Sequence, residues 1–232
     1  MFDLSDHVAL ITGGNGGLGL AMARGIVKAG GSVAIWGRNA DKNAAAVAEL
    51  TAMGGTTAAF ACDVTDRASC ETAFAGTLDR FGKIDSCFAN AGGSGVRGPF
   101  HRLTEQDWAT TNALNVDSVI TSFQLAITHW LERKSGGKLI VTSSIAGLMG
   151  VPQSGGYCMT KAAVQGLIRS NMGVRAFRPT PSCPVLSKPK CRSTPPNIFR
   201  TDASAAPHPA RLASWRIWRG SPFISRRAKA AS

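Results

Sequence analysis

An apolar run, Val8-Ala9-Leu10-Ile11, passes directly into Thr12-Gly13-Gly14-Asn15-Gly16-Gly17-Leu18-Gly19, and a helical pattern from Leu20 to Lys28 follows, closed by Ala29-Gly30. Few folds use this order of strand, glycine-rich turn and helix. Without side chains the turn can be tight and its backbone can approach a pyrophosphate, while the helix N-terminus supplies amide donors and the positive end of a dipole. The segment therefore predicts a dinucleotide site, with Thr12, Gly13, Asn15, Gly17, Leu18 and Gly19 as the residues around the phosphates.

The pattern recurs along the chain. Apolar runs at Val8, Val33, Ala58, Ile84 and Leu139 alternate with helical segments near Leu20, Asn43, Ser69, Glu105 and Lys161. Such alternation implies βαβ units and a parallel sheet covered on both faces, that is, an α/β three-layer, Rossmann-like doubly wound fold. Thr104-Glu105-Gln106-Asp107 has the form of a capping box opening one helix. No repeat at solenoid periods is present.

The second strand, Ser32 to Trp36, ends in Gly37-Arg38-Asn39. NAD-selective sites place a carboxylate near this point to hold the ribose 2′-hydroxyl, whereas an arginine accommodates the 2′-phosphate of NADP. Gly37 stands in the acid's place and Arg38 follows it, so NADP is the preferred cofactor, with Asp41 close enough to keep NAD open.

Tyr157 is the one tyrosine in the chain; it lies four residues before Lys161 and thirteen after Ser144. On a helix the step of four brings phenol and ammonium to one face. A free phenol, with a pKa of about 10, holds its proton too firmly to act as a base near pH 7, and an adjacent positive charge favours the phenolate. Tyr157 could then exchange a proton with a substrate hydroxyl or carbonyl.

With these features the chain resembles the short-chain dehydrogenase/reductase family over residues 1 to about 170. Thr12, Gly13, Gly17 and Gly19 match its cofactor turn. Asp63, with Val64 beside it after the third strand, matches the acid that contacts adenine. Asn90-Ala91-Gly92, after the fourth strand from Ile84 to Ala89, matches the signature that supports the central sheet and borders the cofactor. Asn115 is similar to a helix asparagine that holds a water in a proton relay. Ser144, after the fifth strand from Leu139 to Thr142, is similar to the substrate-orienting serine, and Tyr157 and Lys161 complete a tetrad. The resemblance implies an NADP-dependent oxidoreductase acting on a small-molecule carbonyl or secondary alcohol of the 3-oxoacyl thioester or sugar-acid type. Tyr157 would be the general acid or base, and the loop from Gly93 to Leu103 would help to choose the substrate. It also implies a homodimer through the helices bearing Asn115 and Tyr157.

After residue 170 the composition changes. Nine of the eleven prolines lie there, but only Gly173 and Gly220 of the twenty-six glycines. Residues 171–232 hold twelve Lys or Arg against one acid, Asp202, leaving the preceding 170 residues with fourteen basic and thirteen acidic side chains. The excess positive charge belongs to the tail, so no nucleic-acid partner is expected of the nearly neutral body. A Pro/Arg-rich segment of this kind cannot bury enough apolar surface to offset its ordering entropy and reads as disordered. The sixth strand, Pro-Gly turn and seventh strand of the family are not recognisable after Arg175, so the sheet is expected to lack its last strands, with the fifth strand left as an edge. A shifted reading frame is one expected cause and natural divergence the other: codons chosen to be compatible with Gly173-Val174-Arg175-Ala176, read one base later, encode the Ala-x-Glu-Leu common in family helices at this point. The alternative function is then a truncated, non-catalytic nucleotide-binding remnant.

Cys62, Cys70, Cys87, Cys158, Cys183 and Cys191 have no Cys-x-x-Cys spacing, and His7, His101, His129 and His208 are scattered, so no metal site is expected. Free thiols suit a reducing cytoplasm. The first strand begins within eight residues and no long apolar segment is present, so neither a signal peptide nor a spanning helix is expected.

Overall fold

The computed structural model describes residues 3–169. The basic tail, the frame shift and the expected loss of a sixth and seventh strand fall outside the described residues. Five strands form one sheet: β1 (Val8–Thr12), β2 (Ser32–Gly37), β3 (Thr57–Ala61), β4 (Ser86–Ala89) and β5 (Lys138–Val141). The order is β3-β2-β1-β4-β5, and every neighbouring pair is parallel. The helices are α1 (Gly17–Lys28), α2 (Ala40–Ala52), α3 (Arg67–Phe81), α4 (Glu105–Asn112), α5 (Ser118–Glu132) and α6 (Gly155–Arg169). The doubly wound α/β expectation holds for the described residues. Strand order reverses between β1 and β4, and a crevice at such a switch point, beyond the carboxyl ends of the strands, is where open α/β sheets bind ligands.

Both faces of β1 are covered, which is why its sequence is an unbroken apolar run rather than an alternating one. Leu10, Ala34 and Cys87 point into one core layer with Phe74 of α3 and Val119, Phe123 and Trp130 of α5. Ala9, Ile11, Val33 and Ile35 point into the other, with Ala23 and Val27 of α1 and Ala46 and Leu50 of α2. Trp130 is 1% exposed and its indole Nε1 donates to the Ile84 carbonyl at 2.6 Å. Trp130→Ala removes both the packing and that bond. It is expected to cost about 3–5 kcal/mol of unfolding free energy, read as a lower urea midpoint at unchanged slope.

Helix ends follow local chemistry. Thr104 and Asp107 form a complete capping box on α4, as their spacing predicts. Of the two acids before α3, Asp66 caps it by accepting from the Ala68 amide, while Asp63 turns back on Thr65. Strands β1, β2 and β5 differ from the sequence reading by a single residue at one or both ends, and two other boundaries differ by more. Helix α1 starts at Gly17, three residues before its apolar periodicity begins, because glycines carry no periodicity to read. β4 pairs only from Ser86, since Ile84 lies in the core with its carbonyl turned to Trp130. Between α4 and α5 the chain does not break but passes through a π-helical turn, Ala113–Asp117. Among the described residues no helix is long and apolar enough to cross a membrane, and no cluster of three or more His, Cys, Asp or Glu could hold a metal ion.

Candidate active site

The glycine turn leaves β1 with Gly13 at φ +63° and Gly17 at φ +51°, left-handed conformations that favour glycine. A Cβ on Gly19 would collide with the Gly13 carbonyl oxygen and come within 2.7 Å of Asn90 Nδ2. At Gly16 and Gly17, by contrast, an added Cβ would meet open space. The turn is therefore packed against the protein at one end and open at the other. Leu18, 65% exposed, stands on that open side. A cradle of this shape at a helix N-terminus fits a dinucleotide pyrophosphate.

Thr12 ties this turn to the next strand. Its hydroxyl accepts from the amides of Asn90 and Ala91, both at 3.0 Å, and Asn90 Nδ2 donates to the Thr12 carbonyl at 3.0 Å. Asn90 Oδ1 accepts from the Thr142 hydroxyl at 3.0 Å, and the Thr142 carbonyl accepts from Lys161 Nζ at 2.9 Å. A continuous chain of hydrogen bonds thus runs from the lysine of α6 through the residues that follow β5 and β4 to the glycine turn.

The catalytic candidates gather at its far end. Lys161 is 5% exposed, and burial lowers its ammonium pKa. Its Nζ lies 5.8 Å from the centroid of the half-buried Tyr157 ring, so the one-face expectation from their spacing holds. The close approach of two side chains accounts for Gly92: a Cβ there would stand 2.9 Å from Asn115 Oδ1 and 3.3 Å from Lys161 Nζ. Asn115 is fully buried in the π turn. Its Oδ1 accepts from the Gly93 amide at 2.9 Å, and its Nδ2 donates to the Gly93 carbonyl at 2.8 Å and the Thr160 hydroxyl at 3.2 Å. This side chain pins the loop after β4 to α6. π turns recur at functional sites because the extra residue re-aims a side chain.

Ser144 follows β5 and caps a short 3-10 turn, Ile145–Gly147, its Oγ accepting from the Ala146 amide at 3.2 Å. The neighbouring Ser143 hydroxyl donates to the Lys161 carbonyl and accepts from Gln165 Nε2, at 3.1 and 2.9 Å. The serine loop is therefore fastened to α6 at the turn that carries Lys161.

The residues expected at the adenine side are assembled separately. Asp63 Oδ1 accepts from the Thr65 amide and hydroxyl, and Oδ2 lies 3.7 Å from Arg38 Nη1. The Thr65 bonds, with a smaller contribution from Arg38, lower the Asp63 carboxyl pKa. Val64 is 8% exposed and packs in the core, so its side chain supports this loop from within. Thr142, Ser143, Thr160 and Gln165 are connecting residues that the sequence reading does not single out. Thr142 ends a recognisable strand, but nothing in a linear sequence reports that its hydroxyl and carbonyl face two different partners.

A family model described as short chain dehydrogenase matches residues 7–173. The chain belongs to the short-chain dehydrogenase family. The model ends close to the point where the composition changes. A 3beta-hydroxysteroid dehydrogenase of Mediterraneibacter gnavus is 32% identical over 165 residues, covering 71% of this chain; the chain spans only 59% of that relative's length. A 2,5-dichloro-2,5-cyclohexadiene-1,4-diol dehydrogenase, LinX, of Sphingobium indicum is 30% identical over 210 residues, covering 88% of this chain and 82% of the relative, so that match continues past residue 173. Among solved structures, a short-chain dehydrogenase/reductase of Burkholderia phymatum in complex with NAD superposes with a TM-score of 0.70 at 29% identity, over 74% of this chain and 60% of the other.

Proposed function

We propose that this short-chain dehydrogenase family member is an NADP-dependent oxidoreductase that transfers a hydride between nicotinamide and a carbonyl or secondary alcohol. The observation that carries the reading is the hydrogen-bond chain from Lys161 through Thr142 and Asn90 to Thr12, since it joins the Tyr157 helix to the glycine cradle as one unit. The bound nicotinamide supplies the redox chemistry. Thr12, Gly13, Asn15, Gly17, Leu18 and Gly19 hold the pyrophosphate side; Arg38, Asp63 and Val64 border the adenosine; Asn90, Ala91 and Gly92 back the nicotinamide half. Tyr157 gives its phenolic proton to the substrate oxygen in reduction and takes it back in oxidation. Ser144 donates a hydrogen bond to the same oxygen and orients it. Lys161 holds positive charge beside the phenol, and Asn115 keeps the loop after β4 in register with both.

Arg38 supports NADP because its side chain is 71% exposed and its pairing with Asp63 is long, so it can turn to a 2′-phosphate. The substrate proposed is a 3-oxoacyl thioester or a sugar acid. The relatives' names add cyclic alcohols to the set to be tried. A homodimer through α5 and α6 accords with the exposed Ile120 and Met159 on those helices.

The test uses the full chain with NADPH or NADH and a panel of 3-oxoacyl thioesters, keto sugar acids and cyclic ketones. Turnover with any of these substrates supports the oxidoreductase reading, and a higher kcat/KM with NADPH than with NADH supports the NADP assignment. Nucleotide binding without turnover supports the second reading, a non-catalytic remnant, which the change of composition after residue 170 favours. Failure to bind either nucleotide overturns both.

A further inference from the structure

At the end of β2, the position where an NAD-selective site carries its acid is taken by Gly37, and the space in front of it is already filled. A Cβ on Gly37 would come 2.5 Å from Asn43 Oδ1 and nearer still to Asn15 Nδ2. These two carboxamides form a relay: Asn15 Nδ2 donates to Asn43 Oδ1 at 2.7 Å, and Asn43 Nδ2 donates to the Gly37 carbonyl at 2.8 Å. Asn43 belongs to α2 yet is 6% exposed, and its amide N–H is fixed on the Asn39 carbonyl at 3.0 Å. Asn15 belongs to the glycine turn. One buried side chain therefore connects the phosphate cradle to the strand end that meets the ribose.

We propose that Asn43 is a positioning residue that sets the nucleotide's 2′-substituent preference by holding Asn15 across the end of β2 and excluding a carboxylate from that point. The proposal rests on the nucleotide-binding reading of the cradle. An acid at this place accepts hydrogen bonds from ribose hydroxyls and repels a phosphate, whereas a carboxamide N–H donates to either. With Gly37 bare and Asn15 clamped, the charged groups that follow this corner in the chain are Arg38, whose Nη1 lies 3.7 Å from Asp63 Oδ2, and Asp41 and Lys42 in the first turn of α2. Arg38 is then the cation that a 2′-phosphate meets.

The test measures Kd for NADPH and NADH by cofactor fluorescence on the full chain, so it does not depend on turnover. Asn43→Asp keeps the acceptor for Asn15 but replaces the donor to the Gly37 carbonyl with a negative charge. It is expected to weaken NADPH by about tenfold or more relative to NADH. Asn43→Ala and Asn15→Ala are each expected to shift the NADPH/NADH ratio, and the double variant to shift it no further than one of them, because the first residue acts through the second. A lower melting temperature with both affinities weakened equally would mean a structural role and overturn the proposal, as would an additive double variant. A wild-type preference for NADH would sink the NADP assignment alone; an Asn43→Asp variant with an unchanged ratio would overturn the Asn43 proposal as well.

Discussion

Tyr157→Phe is expected to lower kcat by about 10²- to 10⁴-fold, the range that a positioned general acid contributes, while NADPH affinity changes little. The substitution removes one oxygen. The ring remains half-buried beside Lys161, and α6 keeps its start, since Tyr157's structural bond is through its backbone carbonyl, which accepts from the Thr160 hydroxyl at 2.8 Å. A loss confined to kcat, with the melting temperature and nucleotide Kd unmoved, locates the proton-transferring group. Unchanged turnover would remove Tyr157 from the reaction and with it the proposed function.

Lys161→Met is expected to cost about 10²-fold or more in kcat without lowering the stability of the fold. The lysine buries an ammonium for which the Thr142 carbonyl is an acceptor at 2.9 Å, and a buried charge is expensive to desolvate. Methionine fills similar volume without that cost. The pH dependence has a definite sign. Burial places the folded-state pKa below lysine's ordinary 10.5, so between the two values the unfolded chain binds more protons than the folded one. Stability of the wild-type chain therefore gains from this group as pH rises through the folded pKa toward 10.5, and the burden is fully present below it. In Lys161→Met that component of the slope vanishes. A marked drop in melting temperature at pH 7 would show instead that the Lys161–Thr142 bond outweighs the desolvation. The pairing of the two variants separates chemistry from architecture: Tyr157 is expected to matter for turnover alone, Lys161 for turnover and for how stability varies with pH.

Much of this molecule is legible in its linear order because the relevant physics is local. A buried parallel strand needs an unbroken apolar run, and Val8 to Ile11 has one. A tight turn under a pyrophosphate needs glycine, and Gly13 and Gly17 adopt the left-handed conformations that require it. Thr104 and Asp107 stand three apart, the spacing at which each caps the other's backbone. Tyr157 and Lys161 stand four apart, one helical turn. The family resemblance then assigns roles to Asp63, Asn90, Asn115 and Ser144 that no single residue carries by itself.

Other parts were not legible, each for a stated reason. The π turn at Ala113–Asp117 leaves no composition signal, yet it aims Asn115 at Gly93 and Thr160. Asp63 and Asp66 are equivalent as caps in a linear reading; only the path of the chain after β3 sends one to Ala68 and the other to Thr65. Asn43 looks like any polar residue early in a helix, and its partner Asn15 is twenty-eight residues away.

The order of residues by itself determined that this chain would build a parallel, doubly wound sheet with a glycine cradle after its first strand and a tyrosine–lysine pair on one helix face. Periodicity and turn chemistry act between residues a few positions apart, and those interactions are written along the chain. Only the tertiary structure decided that Lys161 reaches the cradle through Thr142 and Asn90, that Asn115 bolts the loop after β4 to α6, and that Asn43 fills the corner beside Gly37. Those contacts join residues brought together by sheet pairing and helix packing, and which donor finds which acceptor is settled by where the packed backbone places them.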